Sequence, residues 1–308
     1  MNLFEYTYDL VRQIPPGKIS TYGAVAEALG DRIAARAVGR MMNQNPDADD
    51  MPCYKIVHSD GRLGGFGLGI DDKIRRLQKD SIQVKDGKIV DFSAVFFHDF
   101  NTGYPLRTLR QEQIRSGKRI TLKDDWAALD TIAGIDVAYP SNEFEQACGA
   151  AVVLDYQTKQ IREIEVVHVE TDFPFISTYF YYREFPIVQQ LMSRLKSKPS
   201  LLMLNGNGIL HPYRCGFASQ TGLALDIPTI GVAKTLLYGT IKDSRVFIDR
   251  EQRGYAYSSN ERGKPVFVSP GYRISLPTSL TVTKHLSEFK NPEPLRLAHR
   301  YAQEHLGK

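Results

Sequence analysis

Apolar residues recur at helical spacing near the start of the chain, where they predict three helices. The first spans residues 3–13 and ends before Pro15-Pro16-Gly17. Ser20 and Thr21 can cap a second helix that ends at Gly30, since glycine is the preferred residue after a helix C-terminus. A third helix is expected over residues 32–42. The sequence therefore predicts a mainly helical first domain.

The pattern changes beyond residue 130, where short apolar runs rich in β-branched residues predict strands. Such runs occur at residues 131–139, 147–154, 163–169, 200–204 and 229–234. Strands of this kind with helices around them are typical of an α/β fold. At 308 residues the chain is long enough for two domains that each bury a core. We expect a small helical domain followed by a larger α/β domain.

Composition narrows the classes of function. The net charge is only +4, and residues 1–95 hold 13 basic against 13 acidic residues, so charge alone does not indicate a nucleic-acid-binding protein. Cys53, Cys148 and Cys215 are far apart and lack CxxC spacing, which argues against a disulfide framework or a zinc site. The sequence shows no signal-peptide pattern and no apolar run of about 18 residues. We expect a cytoplasmic protein without membrane contact.

The second and third predicted helices, joined by a turn at Gly30, have the pattern of a helix-turn-helix. Arg32, Arg36 and Arg40 are spaced four apart and would share one face of the third helix. A basic face of this kind can contact DNA, and it can equally be a solvated surface. The helix pair alone leaves both interpretations open.

One cysteine has the surroundings of a nucleophile. Cys53 lies between Pro52 and an aromatic residue, just before the β-branched pair Ile56-Val57, where a thiol could be held rigidly at the edge of a pocket. The glycine-rich residues 64–67 follow. A free cysteine is also often a packed core residue, so the position alone leaves that alternative open.

Motifs on both sides of this cysteine occur in a fixed order, at residues 16–23, 35–39, 45–46, 52–53 and 56–61. Together they resemble the active-site domain of O6-alkylguanine-DNA alkyltransferases, over about residues 1–90. The resemblance implies a helix-turn-helix, winged-helix-like domain in which Cys53 accepts an alkyl group from guanine O6 once and irreversibly, without a cofactor. It also implies that Arg36 inserts into the duplex where the base is flipped out, that Tyr22 presses on the flanking phosphate, and that Asn45 orients the cysteine loop.

The chain departs from this family beside the cysteine. A thiol with a pKa of about 8.5 is mostly protonated at neutral pH and needs help to lose its proton. The family uses a histidine after the cysteine, backed by a glutamate, and the matching residues here are Tyr54 and Asp80. We group both with Cys53 as catalytic, and expect activation by Asp80 through water or by a helix N-terminal field. Phe66 replaces the family's base-stacking tyrosine.

Polar residues lie within or directly after the strands of the second domain. Asp136 lies in an apolar run, where a carboxylate is costly unless it is paired or binds a metal ion. Asn205-Gly206-Asn207-Gly208 and Lys234 each follow a buried run. The carboxyl ends of the strands are where an α/β fold places its chemistry.

From about residue 107 to 307 these pieces, in this order, resemble endonuclease V. That family has a ribonuclease-H-like fold and nicks DNA near deaminated bases, chiefly hypoxanthine, with Mg²⁺ or Mn²⁺. The resemblance implies that Asp136 and Glu184 are metal-binding carboxylates and that Lys234 steadies the scissile phosphate. Asn205 matches an aspartate of the family and is expected to remain a weaker metal ligand, because it keeps an oxygen but loses a charge.

The same resemblance assigns residues to the damaged base. Phe175 would be the wedge that opens the duplex, where the family more often has tyrosine. Gly206 and Gly208 would line the pocket of the flipped base, since a backbone without a side chain permits close approach. A histidine of the family is replaced by Tyr272.

We therefore expect a monomeric bifunctional DNA repair protein that acts on double-stranded DNA with alkylated or deaminated bases. Its alkyltransferase domain would span residues 1–92, a connector residues 93–106, and the endonuclease V domain residues 107–308. The alternative is a non-catalytic damage sensor that only holds lesions, an interpretation favoured by Tyr54, Asn205 and Tyr272. A weaker alternative for the second domain is action on inosine in RNA, against which the helix-turn-helix argues.

Overall fold

A computed structural model describes residues 1–45, 47–126, 128–140, 146–260 and 263–307. The chain divides into two compact units. Unit 1 comprises Met1–Gln111 together with Asp172–Ser177, and unit 2 comprises Glu112–Thr171 and Thr178–Lys308. This confirms a two-domain architecture, whereas the domain limits at residues 92 and 107 stay predictions.

The helices of unit 1 include the three that the sequence predicts. They are α1 Leu3–Arg12, α2 Tyr22–Leu29, α3 Ala35–Asn43, α4 Ile70–Lys79, α5 Phe92–Val95 and α6 Pro105–Gly117, the last of which continues beyond Gln111. The Thr21 side chain accepts a hydrogen bond from the Ala24 N–H at the start of α2, and Gly30 ends α2 with φ +105°. The predicted third helix begins as a 3₁₀ turn at Arg32–Ala34 and continues as α3.

Two short strand pairs complete unit 1. Strand β1, Ser20–Thr21, pairs in parallel with β2, Ile56–Val57, and β3, Val84–Lys85, forms an antiparallel hairpin with β4, Lys88–Ile89. A 3₁₀ turn at Cys53–Lys55 leads directly into β2. The β1–β2 pairing therefore holds the cysteine turn beside the start of the helix-turn-helix.

Unit 2 is built on a mixed sheet that has nine strands within the described residues. They are β5 Thr131–Ala138, β6 Ala147–Asp155, β7 Ile161–Val169, β8 Leu201–Leu204, β9 Thr229–Ala233, β10 Thr240–Lys242, β11 Arg245–Ile248, β12 Glu251–Tyr257 and β13 Val266–Tyr272. Their order is β10-β11-β12-β13-β9-β8-β5-β6-β7, in which β8 is parallel to both β5 and β9. The parallel centre brings the carboxyl ends of these three strands together.

Helices cover both faces of this sheet, and they are α7 Phe180–Arg194, α8 Phe217–Leu225, α9 Leu276–His285 and α10 Glu293–His305. Alternate residues of β5 face opposite cores, because strand side chains alternate. Ala133 packs with residues of α7 and α8, and Ile132 packs with residues of α9. No helix in the described part of the chain is both long and apolar enough to cross a bilayer.

Candidate active sites

The 3₁₀ turn that precedes β2 holds Cys53 at the wall of a cavity. The cavity has a volume of about 390 Å³ and is also lined by Asn45, Phe66 and Gly67. Cys53 is only 5% exposed, and the Asn45 Nδ2 atom donates a hydrogen bond to its sulfur at 3.2 Å. The same Nδ2 atom donates to the Met51 carbonyl at 3.1 Å, which fixes the amide against the cysteine loop. Three predicted site residues, Cys53, Asn45 and Phe66, therefore lie together.

Opposing effects act on the Cys53 thiol. Burial raises its pKa, whereas the hydrogen bond from Asn45 and the positive charge of Lys73 act to lower it. The increase from burial is the largest effect, so the thiol is less acidic than a free cysteine. Cys53 therefore depends on its neighbours to become a thiolate.

The residues that match the family's activating pair bond to each other. The Tyr54 hydroxyl donates to Asp80 Oδ2 at 3.0 Å, and Lys55 Nζ forms an ion pair with the same oxygen at 2.9 Å. Burial, followed by the contact with Asp80, raises the pKa of Tyr54 to about 12. A phenol this weakly acidic stays protonated, so Tyr54 is no base at neutral pH. Among the described residues neither Tyr54 nor Asp80 has a hydrogen bond to the Cys53 sulfur.

Two of the residues predicted to contact DNA, Tyr22 and Arg36, lie on α2 and α3. Arg36 is exposed on α3. Tyr22 begins α2 with its hydroxyl against the backbone of Gly64, and its ring centroid lies 5.4 Å from that of His58. Burial raises the pKa of Tyr22, so its hydroxyl remains a hydrogen-bond donor at neutral pH. A β carbon on residue 64 would collide with this hydroxyl, which explains glycine there.

In unit 2, Asp136 lies near the carboxyl end of β5, and Asn205 and Lys234 directly follow the neighbouring strands β8 and β9. The sheet register pairs Ile135 with Leu204, so the residues that follow them are neighbours. The Asn205 Nδ2 atom donates to Asp136 Oδ1 at 2.7 Å. All three side chains line one small pocket together with His299. The structure therefore brings Asp136 next to Lys234, which lies 98 positions further along the sequence.

His299 is a site residue that sequence reasoning did not single out. It lies on α10, and its Nδ1 atom is 2.7 Å from Asp136 Oδ2. Its separation from Asp136 by 163 positions hides the pairing in the sequence. The sequence signal that could have identified it is its place at the end of residues 294–299, within the stretch that resembles endonuclease V.

Glu184 lies on α7 and is 4% exposed. Burial is the main reason why the pKa of Glu184 rises to about 8, and the nearby charge of Asp136 raises it further. The Tyr139 hydroxyl donates to Glu184 Oε1 at 2.8 Å and acts in the opposite direction. Glu184 is close enough to Asp136 to respond to its charge, but it is not among the residues that line the Asp136 pocket.

No group of three or more His, Cys, Asp or Glu side chains suited to a metal ion occurs among the described residues. The predicted set consists of two carboxylates and one amide, and the charge of Asp136 disfavours the ionised form of Glu184, an effect that a bound cation would relieve. Asn205 currently turns its NH₂ group toward Asp136, and a half-turn of the amide would present its oxygen instead. The residues therefore fit a hard cation that prefers oxygen ligands.

Gly206 and Gly208, the glycines predicted to line the pocket of the flipped base, lie where neighbouring atoms leave little or no room for a side chain. A β carbon on Gly208 would lie 2.6 Å from the carbonyl carbon of Pro270, and the Gly208 N–H donates to Ser269 Oγ at 2.9 Å. A β carbon on Gly206 would lie 3.0 Å from the Phe217 ring. Packing alone explains glycine at residue 208, and a role in base binding stays a prediction.

The predicted wedge and the replaced histidine lie elsewhere. Phe175 belongs to the Asp172–Ser177 segment that groups with unit 1, is 42% exposed, and has its ring 5.8 Å from the Arg40 guanidinium. Tyr272 ends β13, and its hydroxyl donates to Asp226 Oδ1 at 3.3 Å. Neither residue is among those that line the Asp136 pocket.

Comparison with known families supports both resemblances. A family model described as Endonuclease V matches residues 114–300. A model described as the DNA-binding domain of 6-O-methylguanine DNA methyltransferase matches residues 2–82. Both resemblances drawn from the motifs are thereby confirmed.

Two relatives extend over nearly the whole chain. A protein of Picrophilus torridus named bifunctional methyltransferase/endonuclease is 40% identical over 97% of this chain and 95% of its own length. A protein of Thermoplasma volcanium with the same name is 37% identical over 99% of this chain and 91% of its own length. The methyltransferase and endonuclease regions therefore occur in one chain, in the same order, in other proteins.

Solved structures resemble the second part. Human ENDOV superposes with a TM-score of 0.60 at 27% identity, covering 65% of this chain and 97% of that structure. Ciona intestinalis endonuclease V, in complex with a 24mer DNA that contains an inosine followed by a ribo-adenosine, has the same TM-score, identity and coverage. The large mixed sheet of unit 2 is therefore that of an endonuclease V.

Proposed function

Because the chain belongs to the bifunctional methyltransferase/endonuclease family, with an endonuclease V domain, we propose that it repairs two kinds of base damage in double-stranded DNA. Unit 1 transfers the alkyl group of O6-alkylguanine to Cys53, and unit 2 nicks DNA near deaminated bases such as hypoxanthine. The observation that carries the first activity is the Asn45 N–H group on the Cys53 sulfur inside a cavity. The winged-helix-like and ribonuclease-H-like descriptions of the two units are part of this proposal.

The alkyl transfer is a single displacement. The Cys53 thiol first loses its proton to solvent, and the thiolate attacks the carbon attached to guanine O6. An S–C bond forms while the C–O bond breaks, and its electron pair stays with guanine, which takes up a proton. Asn45 holds the sulfur in place, and Phe66 offers a ring against which the flipped base can stack. The thioether that remains on Cys53 ends the turnover.

The nicking reaction depends on the pocket at the ends of the central strands. Asp136, Glu184 and Asn205 would hold a Mg²⁺ or Mn²⁺ ion, which supplies charge stabilisation and a more acidic bound water. Lys234, exposed at the end of β9, positions the scissile phosphate by its charge. His299 orients the Asp136 carboxylate through the 2.7 Å contact.

Two assays on the intact protein test these activities separately. Radiolabelled methyl from O6-methylguanine DNA should become bound to protein, and Cys53→Ala should abolish this transfer. An inosine-containing duplex should be nicked only when a divalent metal is present, and Asp136→Ala should abolish the nicking. Transfer that persists in Cys53→Ala, or nicking that persists in chelator, would refute the corresponding half.

A second candidate function is a damage sensor that binds lesions without reaction. The raised pKa of Cys53 and the amide at residue 205 favour it. Stoichiometric binding to either lesion without alkyl transfer or nicking would select this function. Cleavage of an inosine-containing RNA in preference to the DNA duplex would instead select a ribonuclease function for unit 2.

A further inference from the structure

Unit 1 contains a buried ammonium group that the alkyl-transfer scheme above does not use. Lys73 lies on α4 and is completely buried, with 0% of its surface exposed. Its Nζ atom donates to the Ile56 carbonyl at 2.7 Å and to the Gly64 carbonyl at 3.2 Å. These acceptors belong to the strand after the cysteine turn and to the glycine-rich stretch. Lys73 thereby ties together two segments beside the cavity.

Charge makes this contact unusual. A buried ammonium is normally paired with a carboxylate, because an isolated buried charge is costly. Within the described residues Lys73 has carbonyl partners and no ion pair with an acidic side chain. Lys55, the other buried lysine of unit 1, forms an ion pair with Asp80. One of the two lysines is therefore neutralised and the other is not.

We infer that Lys73 is the positioning residue whose charge stabilises the Cys53 thiolate. This inference rests on the proposed alkyl transfer. It assigns the activation that the family obtains from histidine to a fixed cation behind the cysteine loop. Cys53 lies three residues before Ile56, whose N–H bonds to the Cys53 carbonyl, so the ammonium is held at the base of the cysteine turn.

The other groups around Cys53 do not supply the same charge. Arg76 also lies on α4, but Asp49 and Asp72 pair with it. The remaining titratable neighbours are three tyrosines, from α1, α2 and the cysteine turn, whose pKa values are all raised so that they are neutral: Tyr8, Tyr22 and Tyr54. Among these described neighbours of Cys53, Lys73 is therefore the positively charged side chain that no carboxylate neutralises.

The protonation state of Lys73 gives the inference a pH signature. Burial lowers the pKa of Lys73 to about 8, so the ammonium is mostly charged at neutral pH and is lost under alkaline conditions. The stabilisation of the Cys53 thiolate by the Lys73 charge should therefore be present at neutral pH and disappear well above that pKa. A purely structural role of the side chain would change reactivity equally at all pH values.

The test measures the reaction of Cys53 with iodoacetamide in the full-length chain, from neutral to alkaline pH. In this reaction the thiol proton goes to solvent, an S–C bond forms and iodide leaves with the electron pair of the C–I bond. Peptide mass spectrometry separates Cys53 from Cys148 and Cys215. The variants are Lys73→Gln, which keeps a hydrogen-bond donor without charge, Lys73→Arg, which keeps the charge, and Lys79→Gln, which removes an exposed charge from the same helix.

Lys73→Gln should react about tenfold more slowly than wild type at neutral pH, the effect expected of one nearby charge. The two rates should converge at alkaline pH. Lys73→Arg should recover most of the neutral rate, and Lys79→Gln should match wild type throughout. Equal rates for Lys73→Gln and Lys79→Gln at neutral pH, or a constant deficit of Lys73→Gln at every pH, would overturn the inference.

Wild type alone provides a second measurement if Lys73→Gln does not fold. Its Cys53 rate should rise with pH, flatten near the pKa of Lys73 and then rise again, whereas a single smooth titration would overturn the inference. Iodoacetamide needs no DNA, so failure of the inference and failure of the proposed alkyl transfer can be told apart. If the pH signature is found but no methyl group is taken from O6-methylguanine DNA, the role of Lys73 stands and the alkyltransferase proposal fails.

Discussion

Gly134→Ala should damage both the stability of unit 2 and its nicking activity. Gly134 lies in β5, where α10 begins on top of it. A β carbon at residue 134 would lie 2.6 Å from the Pro294 Cβ atom and closer still to the Pro294 backbone. Carbon atoms need about 3.5 Å or more, so the start of α10 would have to retreat by about 1 Å. The nearest obstructing atoms belong to the Pro294 backbone, so no change of side-chain rotamer can relieve the clash.

The cost follows from this geometry. Forcing an extra methyl group into a packed interface destabilises proteins by about 1–3 kcal/mol. For a unit of this size, 2 kcal/mol corresponds to a decrease of about 4–8 °C in Tm. The same helix carries His299, whose Nδ1 atom lies 2.7 Å from Asp136, and a shift of about 1 Å breaks that contact. Nicking should therefore fall by up to about a hundredfold even where the protein is folded.

Differential scanning calorimetry and nicking of an inosine duplex measure the two effects. Gly103→Ala, in unit 1, is a control for the added methyl group alone, because a β carbon there would have its nearest neighbour, the Tyr6 hydroxyl, at 3.6 Å, an ordinary contact. The control should change Tm by no more than about 2 °C. If Gly134→Ala resembles the control in both assays, the close packing of α10 on β5 is not what holds the Asp136 pocket.

Three further predictions concern single polar contacts. Tyr54→Phe removes the hydrogen bond to Asp80 and should lower the free energy of unfolding of unit 1 by about 1–2 kcal/mol in urea denaturation. The rate at which Cys53 reacts with iodoacetamide should stay unchanged. A large loss of that rate would mean that Tyr54 activates the thiol. Asn45→Ala removes the donor on sulfur, so the Cys53 pKa should rise further and its neutral-pH rate should fall about tenfold, whereas an unchanged rate would contradict the role of the amide. Asn205→Asp should lower the metal-free Tm by like-charge repulsion and increase the Tm rise on adding Mn²⁺; a metal response equal to wild type would remove residue 205 from the ligand set.

Local signals in the sequence were sufficient for helices α1–α3 and for strands β5–β9. Thr21 and Gly30 bound α2 because capping and a left-handed glycine depend on neighbouring residues alone. Asp136 stood out because a carboxylate in an apolar run needs a partner. Resemblance to two families added the predicted roles of Cys53 and Glu184, which composition and spacing could not supply.

Long-range pairings could not be predicted. Lys73 lies in a strongly polar helix, and its burial depends on carbonyls of Ile56 and Gly64 that the fold brings to it. The expected activation of Cys53 by Asp80 did not take account of Lys55, which binds the same carboxylate. Burial and pairing of charges are properties of the tertiary structure, so a pattern of residue types does not encode them locally.

An asparagine amide faces the reactive group in each unit, with opposite consequences. In unit 1 the Asn45 N–H group lies 3.2 Å from the Cys53 sulfur and favours the anion that reacts. In unit 2 the Asn205 N–H group lies 2.7 Å from Asp136 Oδ1 and occupies a carboxylate oxygen that a cation would need. An amide can reverse its donor and acceptor ends by a half-turn, which a carboxylate cannot do. Under the proposed nicking activity, Asn205 would stabilise Asp136 without a cation and bind the cation through its oxygen, but without the negative charge that an aspartate would contribute.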